Sequence, residues 1–214
     1  MSDLSNSVRS YYLGKFRDHG AVPEGMDWKD RKSQILRFEI IKEVGIESGS
    51  SILDVGCGYG AFYEFLKEQD IHVDYTGIDL VEDMIIHAQE KYREVRFVVA
   101  DIRHFNPGRE YDYVVASGPF NVKGDVENER WWNDFVKTSL FKMFRLARKA
   151  IVFNIMTPYV DYTYSRLFYP DISLLTDFIV KELSRYFILR HDYELYEMTF
   201  YVFKRGGSWV KKSL

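Results

Sequence analysis

The segment Asp54-Val55-Gly56-Cys57-Gly58-Tyr59-Gly60-Ala61 places three alternating glycines directly after a short apolar run. That spacing allows a tight turn and a close approach of backbone to a ligand. On the glycines alone the cofactor stays open. Gly56, Gly58 and Ala61 also satisfy the dinucleotide fingerprint, and Asp79 supplies the acid expected about 20 residues further on. Asp54 narrows the choice. Two residues ahead of the first glycine, its carboxylate would face a doubly negative pyrophosphate, and that repulsion disfavours NAD or FAD. S-adenosylmethionine carries no phosphate and brings a sulfonium and an ammonium, both attracted by an acidic strand end.

Two further acids follow the same rule. Tyr75-Thr76-Gly77-Ile78-Asp79 ends a second apolar run with a carboxylate able to accept from both ribose hydroxyls, and Leu80 shares that tip. Val98-Val99-Ala100-Asp101-Ile102 ends a third run in the same way.

The Asp-x-Gly-x-Gly-x-Gly pattern at residues 54 to 60 resembles the first motif of the class I, seven-stranded S-adenosylmethionine-dependent methyltransferases, and the resemblance extends over roughly residues 40 to 205. It implies a Rossmann-like fold and S-adenosylmethionine as cofactor. It also implies that Asp101 accepts from the adenine amino group while Ile102 packs on the ring. The segment Ser117-Gly118-Pro119-Phe120-Asn121 corresponds to the stretch that lies beside the methionine part of the cofactor and the incoming nucleophile. It lacks the leading amide or acid and the first proline of the Asn/Asp-Pro-Pro-aromatic signature, which argues against nucleobase N-methylation.

Methyl transfer is an in-line displacement, so holding nucleophile, methyl and sulfur collinear in a dry pocket supplies much of the rate. A strong base is optional. Candidates for catalysis are His104, on the rim after Asp101, Asn121 in the fourth-strand loop, and Asp161 after the fifth strand. Residues 1–40 carry enough aromatic surface for a lid, from which Tyr12, Trp28 and Arg37 are the cofactor-binding candidates. Arg37 is included because a methionyl carboxylate can take two hydrogen bonds from a guanidinium. A second aromatic stretch, Thr157 to Pro170, is expected to shape the substrate site, with no metal involved.

These residues need a scaffold that brings strand ends together. Short β-branched runs predict seven strands, at Ser51–Val55, Asp74–Asp79, Val95–Ala100, Tyr111–Ala116, Ala150–Asn154, Phe187–Tyr193 and Met198–Lys204. Helical patterns at Ala61–Glu68, Val81–Lys91 and Arg130–Arg148 separate the first five, and Leu174–Arg185 supplies another. Strands alternating with helices imply crossovers and a mostly parallel, doubly wound α/β sheet, while the short link between the last two implies an antiparallel hairpin. Ligands then bind at the carboxyl ends of the strands.

The 214 residues fit one domain, read as a helical aromatic cap over 1–40, a Rossmann-like core over 41–205 and a tail over 206–214. Lys+Arg 29 against Asp+Glu 32 gives a net charge of −3, which argues against a dedicated nucleic-acid binder. A single cysteine and a polar start point to a reducing, cytoplasmic setting, and the longest apolar stretch, around Ala150–Met156, is too short for a membrane helix. The expected function is methyl transfer from S-adenosylmethionine to an oxygen, nitrogen or carbon of a small or medium organic molecule. A non-catalytic cofactor-binding module, an NAD- or FAD-dependent oxidoreductase, and a protein or RNA methyl acceptor are the alternatives.

Overall fold

The computed structural model describes residues 3–124, 126 and 128–205. The expected tail over 206–214 lies outside them. Seven strands form one sheet: β1 (Ser51–Val55), β2 (Asp74–Asp79), β3 (Arg96–Val99), β4 (Tyr111–Ala116), β5 (Ala147–Met156), β6 (Phe187–Arg190) and β7 (Glu197–Phe203), in the order β3-β2-β1-β4-β5-β7-β6. The first five pair in parallel, and β7 runs antiparallel to both β5 and β6. This is the Rossmann-like architecture expected from the alternation, with the reversal confined to β7.

Every residue of β1 is buried, as a central strand covered on both faces requires. Alternation along the strands sorts the side chains into two cores. Leu53, Val55, Val114, Ile151, Phe153, Phe200 and Val202 point to one face, against α5 (Glu129–Leu146) and α6 (Ile172–Phe178). Ile52, Val115, Val152 and Tyr201 point to the other, where α2 (Arg31–Lys42), α3 (Ala61–Glu68) and α4 (Glu82–Lys91) pack. Phe153 and Phe200 stack across β5 and β7 at 5.1 Å. Tyr111 and Tyr113 join opposite cores although two residues apart, because the β4–β5 register shifts between them.

Several boundaries differ from the expectation. Strand β5 begins at Ala147, three residues before the predicted start, because α5 runs into it with no loop. The predicted helix over Leu174–Arg185 is α6 followed by a π turn, Ile179–Leu183. Strand β6 stops at Arg190 rather than Tyr193.

The N-terminal segment has two parts. Helix α1 (Asp3–His19) and the 3-10 turn Pro23–Met26 reach across the carboxyl end of the sheet, where the Ser5 hydroxyl donates to Asp101 and Arg17 pairs with Asp83. Helix α2, capped by Asp30 through a reciprocal pair with Ser33, instead inserts Phe38, Ile40 and Ile41 into the second core. Among the described residues, no helix is long and apolar enough to cross a membrane.

Candidate active site

Strand β1 delivers the glycine loop at the carboxyl edge of the sheet, and Gly56, Gly58 and Gly60 all take left-handed φ, 74°, 55° and 86°. Only glycine adopts three such angles in five residues without strain. The loop is braced by Asp79 at the tip of β2. One Asp79 carboxylate oxygen accepts from the Gly58 N–H at 2.9 Å and the other from the Val81 N–H at 2.9 Å.

A cleft runs along this edge, lined by Gly56, Asp79, Leu80, Asp101, Ile102 and Gly118, with Tyr12 and Trp28 closing it from the N-terminal segment. Asp54 and Cys57 open instead onto a small recess that shares Met26, Trp28, Gly56 and Ser117 with it. Gly58 and Gly60 lie behind the cleft: Met26 covers the first, and Tyr92 and Phe97 back the second.

On the other side of Trp28 a larger cavity of about 550 Å³ opens, lined by Tyr12, Trp28, Arg37, Gly118, Asn121, Arg166 and Glu197 among others. Its volume lies within the span usual for small-molecule sites. Tyr12, Met26, Trp28 and Gly118 belong to both chambers, so the two meet at the loop after β4.

Three polar side chains, Arg37, Asn121 and Glu197, line the floor of the larger chamber, and Asn154 supports them from behind. The Arg37 guanidinium grips Glu197, Nε at 2.9 Å and Nη2 at 2.7 Å, while the Trp28 ring lies against it at 3.9 Å. The amides of Asn121 and Asn154 both donate to the same carboxylate, and Asn154 Oδ1 accepts from the Gly118 N–H at 2.6 Å. This chain of contacts ties α2, the loop after β4, β5 and β7 into one unit.

The comparisons with known proteins agree with this geometry. A family model described as a methyltransferase domain matches residues 52–137, which contain the glycine loop, Asp79, Asp101 and the loop after β4. A Mycobacterium tuberculosis protein named as a methyltransferase is 37% identical over 157 residues, covering 72% of this chain and 93% of that protein. This chain belongs to the class I S-adenosylmethionine-dependent methyltransferase family. The magnesium protoporphyrin IX methyltransferase of Synechocystis, solved with bound S-adenosylmethionine, shares the fold at a TM-score of 0.66 and 14% identity, covering 96% of this chain and 99% of that one. An amino-sugar N,N-dimethyltransferase of Streptomyces venezuelae is 34% identical over 107 residues, covering 50% of this chain and 39% of that enzyme. The methyltransferase thus spans nearly all of the first relative and well under half of the second. Family membership replaces the NAD- or FAD-dependent oxidoreductase kept open by the glycines.

The electrostatics of the methyltransferase suit its cofactor. Burial pushes the Asp54 carboxyl up to about 7, against the pull of the Tyr75 hydroxyl, and the Asp79 charge adds to the rise. Burial also raises Asp79, against the hydrogen bonds it accepts from Val81, Gly58 and Leu80. Neither acid has a basic partner among the described residues, so a cation brought beside them would favour their ionised forms. The Ser117 hydroxyl in the same recess is buried without a partner. A cationic, hydroxyl-rich adenosine ligand answers these needs, so the residues present fit S-adenosylmethionine. Burial raises the Cys57 thiol, which keeps it protonated and inert.

Other candidates sit differently from the expectation. Asp101 lines the cleft but is engaged by Arg103 Nη2 at 2.5 Å and by Ser5; burial works to raise it, yet these partners outweigh that and hold it below the ordinary range. Arg37 lines the larger chamber, 9% exposed and committed to Glu197. A guanidinium already in a buried ion pair is a poor anchor for a methionyl carboxylate, which corrects its expected place. His104 is exposed and Asp161 accepts from the exposed Tyr196; neither lines either chamber, because the loops carrying them turn their side chains to solvent. Asn121 alone of the three catalytic candidates reaches the cavity. Of the second aromatic stretch, Tyr159, Tyr162 and Tyr164 are exposed while Arg166 and Leu167 line the chamber.

Met26, Asn154 and Glu197 were not singled out by the sequence. Asn154 had a usable signal: an amide inside the apolar run Ile151-Val152-Phe153-Asn154-Ile155 must find buried partners. Glu197, at the start of an apolar strand, carries a weaker form of the same signal.

Proposed function

We propose that this methyltransferase moves a methyl group from S-adenosylmethionine to a small organic molecule, with cofactor in the cleft at the glycine loop and acceptor in the larger chamber. The observation that carries the reading is the junction of the two chambers at Gly118, beneath Tyr12 and Trp28. A donor and an acceptor approaching from opposite sides of that junction meet in line, as a displacement at carbon requires.

S-adenosylmethionine, when bound, supplies an electrophilic methyl on a positively charged sulfur. The protein does the rest. Asp79 holds the ribose hydroxyls, Asp54 and the glycine loop face the positively charged methionine end, and Leu80, Asp101 and Ile102 flank the adenine. Gly118 lets the two ligands approach, and Trp28 and Tyr12 exclude water over them. Burial, with the charges of Asp27, Tyr11, Asp79 and Glu197 around it, pushes the Tyr12 phenol well up, so Tyr12 acts as a donor.

The acceptor class is open to choice on the relatives alone, since their names include an amino-sugar N,N-dimethyltransferase, trans-aconitate 2-methyltransferases and malonyl-acyl-carrier-protein O-methyltransferases. A chamber of about 550 Å³ has the size usual for a small acceptor. With Cys57 as its single cysteine, the enzyme fits a reducing, cytoplasmic setting. Calorimetric titration with S-adenosylhomocysteine tests the cofactor half: saturable one-to-one binding is expected, and binding of NAD in its place overturns it.

A further inference from the structure

Asn121 is 4% exposed, lines the larger chamber, and carries a side-chain oxygen, Oδ1, that has no hydrogen-bond partner among the described residues. A buried acceptor left unpaired costs on the order of 1–3 kcal/mol. Turning the amide over does not relieve it. The Asn121 Nδ2 group donates to Glu197 Oε1 at 3.2 Å, and a carboxylate in an ion pair offers acceptors alone, so the flipped amide would set oxygen against oxygen. The same carboxylate fixes Asn154, whose Nδ2 also points to Glu197 and whose Oδ1 is taken by the Gly118 N–H. Glu197 therefore dictates the polarity of this lining residue: the atom it leaves unpaired is a buried carbonyl oxygen, three residues past Gly118, where the two chambers meet.

We propose that the methyl acceptor is a primary or secondary amine whose N–H donates to Asn121 Oδ1. This rests on the methyl-transfer reading above and deepens it. The oxygen is sealed from water in this arrangement, so its donor comes from a ligand that displaces the side chains over it rather than from solvent.

The choice of nitrogen follows from what an amide can and cannot do. A side-chain carbonyl accepts a hydrogen bond but does not carry a proton away. The group it orients must therefore be nucleophilic while still holding a hydrogen. A neutral amine has both a lone pair and an N–H. A carboxylate and a phenolate have no hydrogen to donate, and an aliphatic alcohol becomes a good nucleophile only on losing the one it has. Among the described residues no lining acid is free to take that proton: Glu197 is locked by Arg37, Asp27 by Lys15 and Tyr11, and Asp30 by the first turn of α2, while Glu194 stands exposed at the mouth.

The step balances without a further reactant. The amine enters as its neutral form, its ammonium proton left to water before binding; its lone pair forms the N–CH3 bond as the S–CH3 bond breaks, and the bonding pair stays on sulfur, which becomes a neutral thioether. Nitrogen takes up the positive charge, and the methylated ammonium gives its surplus proton to water after release.

The test begins with S-adenosylhomocysteine binding to the full chain by calorimetry, since failure there overturns the reading on which the proposal rests. The cofactor-binding protein is then given S-adenosylmethionine with a deuterated methyl and three matched sets of acceptors: benzylamine and cyclohexylamine, the corresponding alcohols, and the corresponding carboxylates. Mass gain confined to the amines is expected. In Asn121→Leu that gain should fall about tenfold or more, the loss of one oriented hydrogen bond, while S-adenosylhomocysteine affinity stays within about twofold. Methylated carboxylates or alcohols, no methylated amine, or a folded Asn121→Leu that methylates amines at the native rate each overturn the proposal. The native acceptor pattern decides the matter even if the variant fails to fold.

Discussion

The Trp28 indole fills the space directly above Gly118, where any other residue would place its Cβ. Gly118 has a φ of +86°, so the lid residue and the transfer loop are fitted to each other through an absent side chain. Gly118→Ala therefore carries two costs, a left-handed angle on an L-residue and a collision with the ring. The expected loss is about 1–3 kcal/mol of folding stability together with at least tenfold weaker S-adenosylhomocysteine binding. Urea unfolding and calorimetry measure both, and an alanine variant with native values would show that Trp28 does not rest on the loop.

Glu197 gathers four donors from three distant parts of the chain, so its removal should be among the most damaging single changes in the protein. Glu197→Ala leaves the Arg37 guanidinium buried without its partner and strips Asn121 and Asn154 of theirs. Breaking one side of a buried pair typically costs about 3–5 kcal/mol. Glu197→Gln keeps one acceptor oxygen and should lose less, and Arg37→Met/Glu197→Leu together should recover part of the stability without recovering activity. Chemical denaturation of the four proteins separates these outcomes. Equal stability in all of them would remove the network from any account of the fold.

How much of this was legible in the sequence depended on how local the signal was. The acids at 54, 79 and 101 each lie within two residues of a strand's carboxyl end, so strand periodicity and a glycine loop sufficed to bring them to one edge. The antiparallel end was equally local, since a short link forbids a crossover. The larger chamber was not. Arg37 meets Glu197 across 160 residues and Asn121 meets it across 76, and no spacing rule pairs residues so far apart. His104 and Asp161 show the reverse limit. Each follows a strand on the ligand edge, but nearness in the chain does not tell which way a loop side chain points. The early start of β5 and the π turn after α6 reflect tertiary packing overriding local preference.

Asp101 allows its structural and ligand-binding roles to be separated. Its carboxylate is held by Arg103 and Ser5 while it lines the cleft. With adenine recognition assigned to Asp101, Asp101→Ala should weaken S-adenosylhomocysteine binding about tenfold or more. Arg103→Ala, which leaves the acid in place and raises its carboxyl toward the ordinary range, should change the affinity less than about threefold. Calorimetry on both variants decides it, and equal losses would mean that the ion pair serves only to hold α1 against the sheet.

The raised carboxyl of Asp54 makes two opposite pH dependences. In the folded protein burial moves it from 3.8 to about 7, so between these values the folded chain keeps a proton that the unfolded chain has lost. The contribution of Asp54 to stability therefore declines as pH rises through that window and is level above it. A ligand whose ammonium faces Asp54 prefers the ionised form, so cofactor binding should run the other way, strengthening about tenfold per unit up to pH 7 and levelling off beyond. Below 7, binding should release one proton, read by calorimetry in buffers of different ionisation enthalpy. Asp54→Asn removes the titrating group: it should flatten the stability profile over this range, weaken S-adenosylhomocysteine binding at pH 8, and abolish the proton release. A native protein whose affinity is unchanged from pH 5.5 to 8 would sever Asp54 from the cationic end of the cofactor, and with it the electrostatic reason for an acid ahead of the glycine loop.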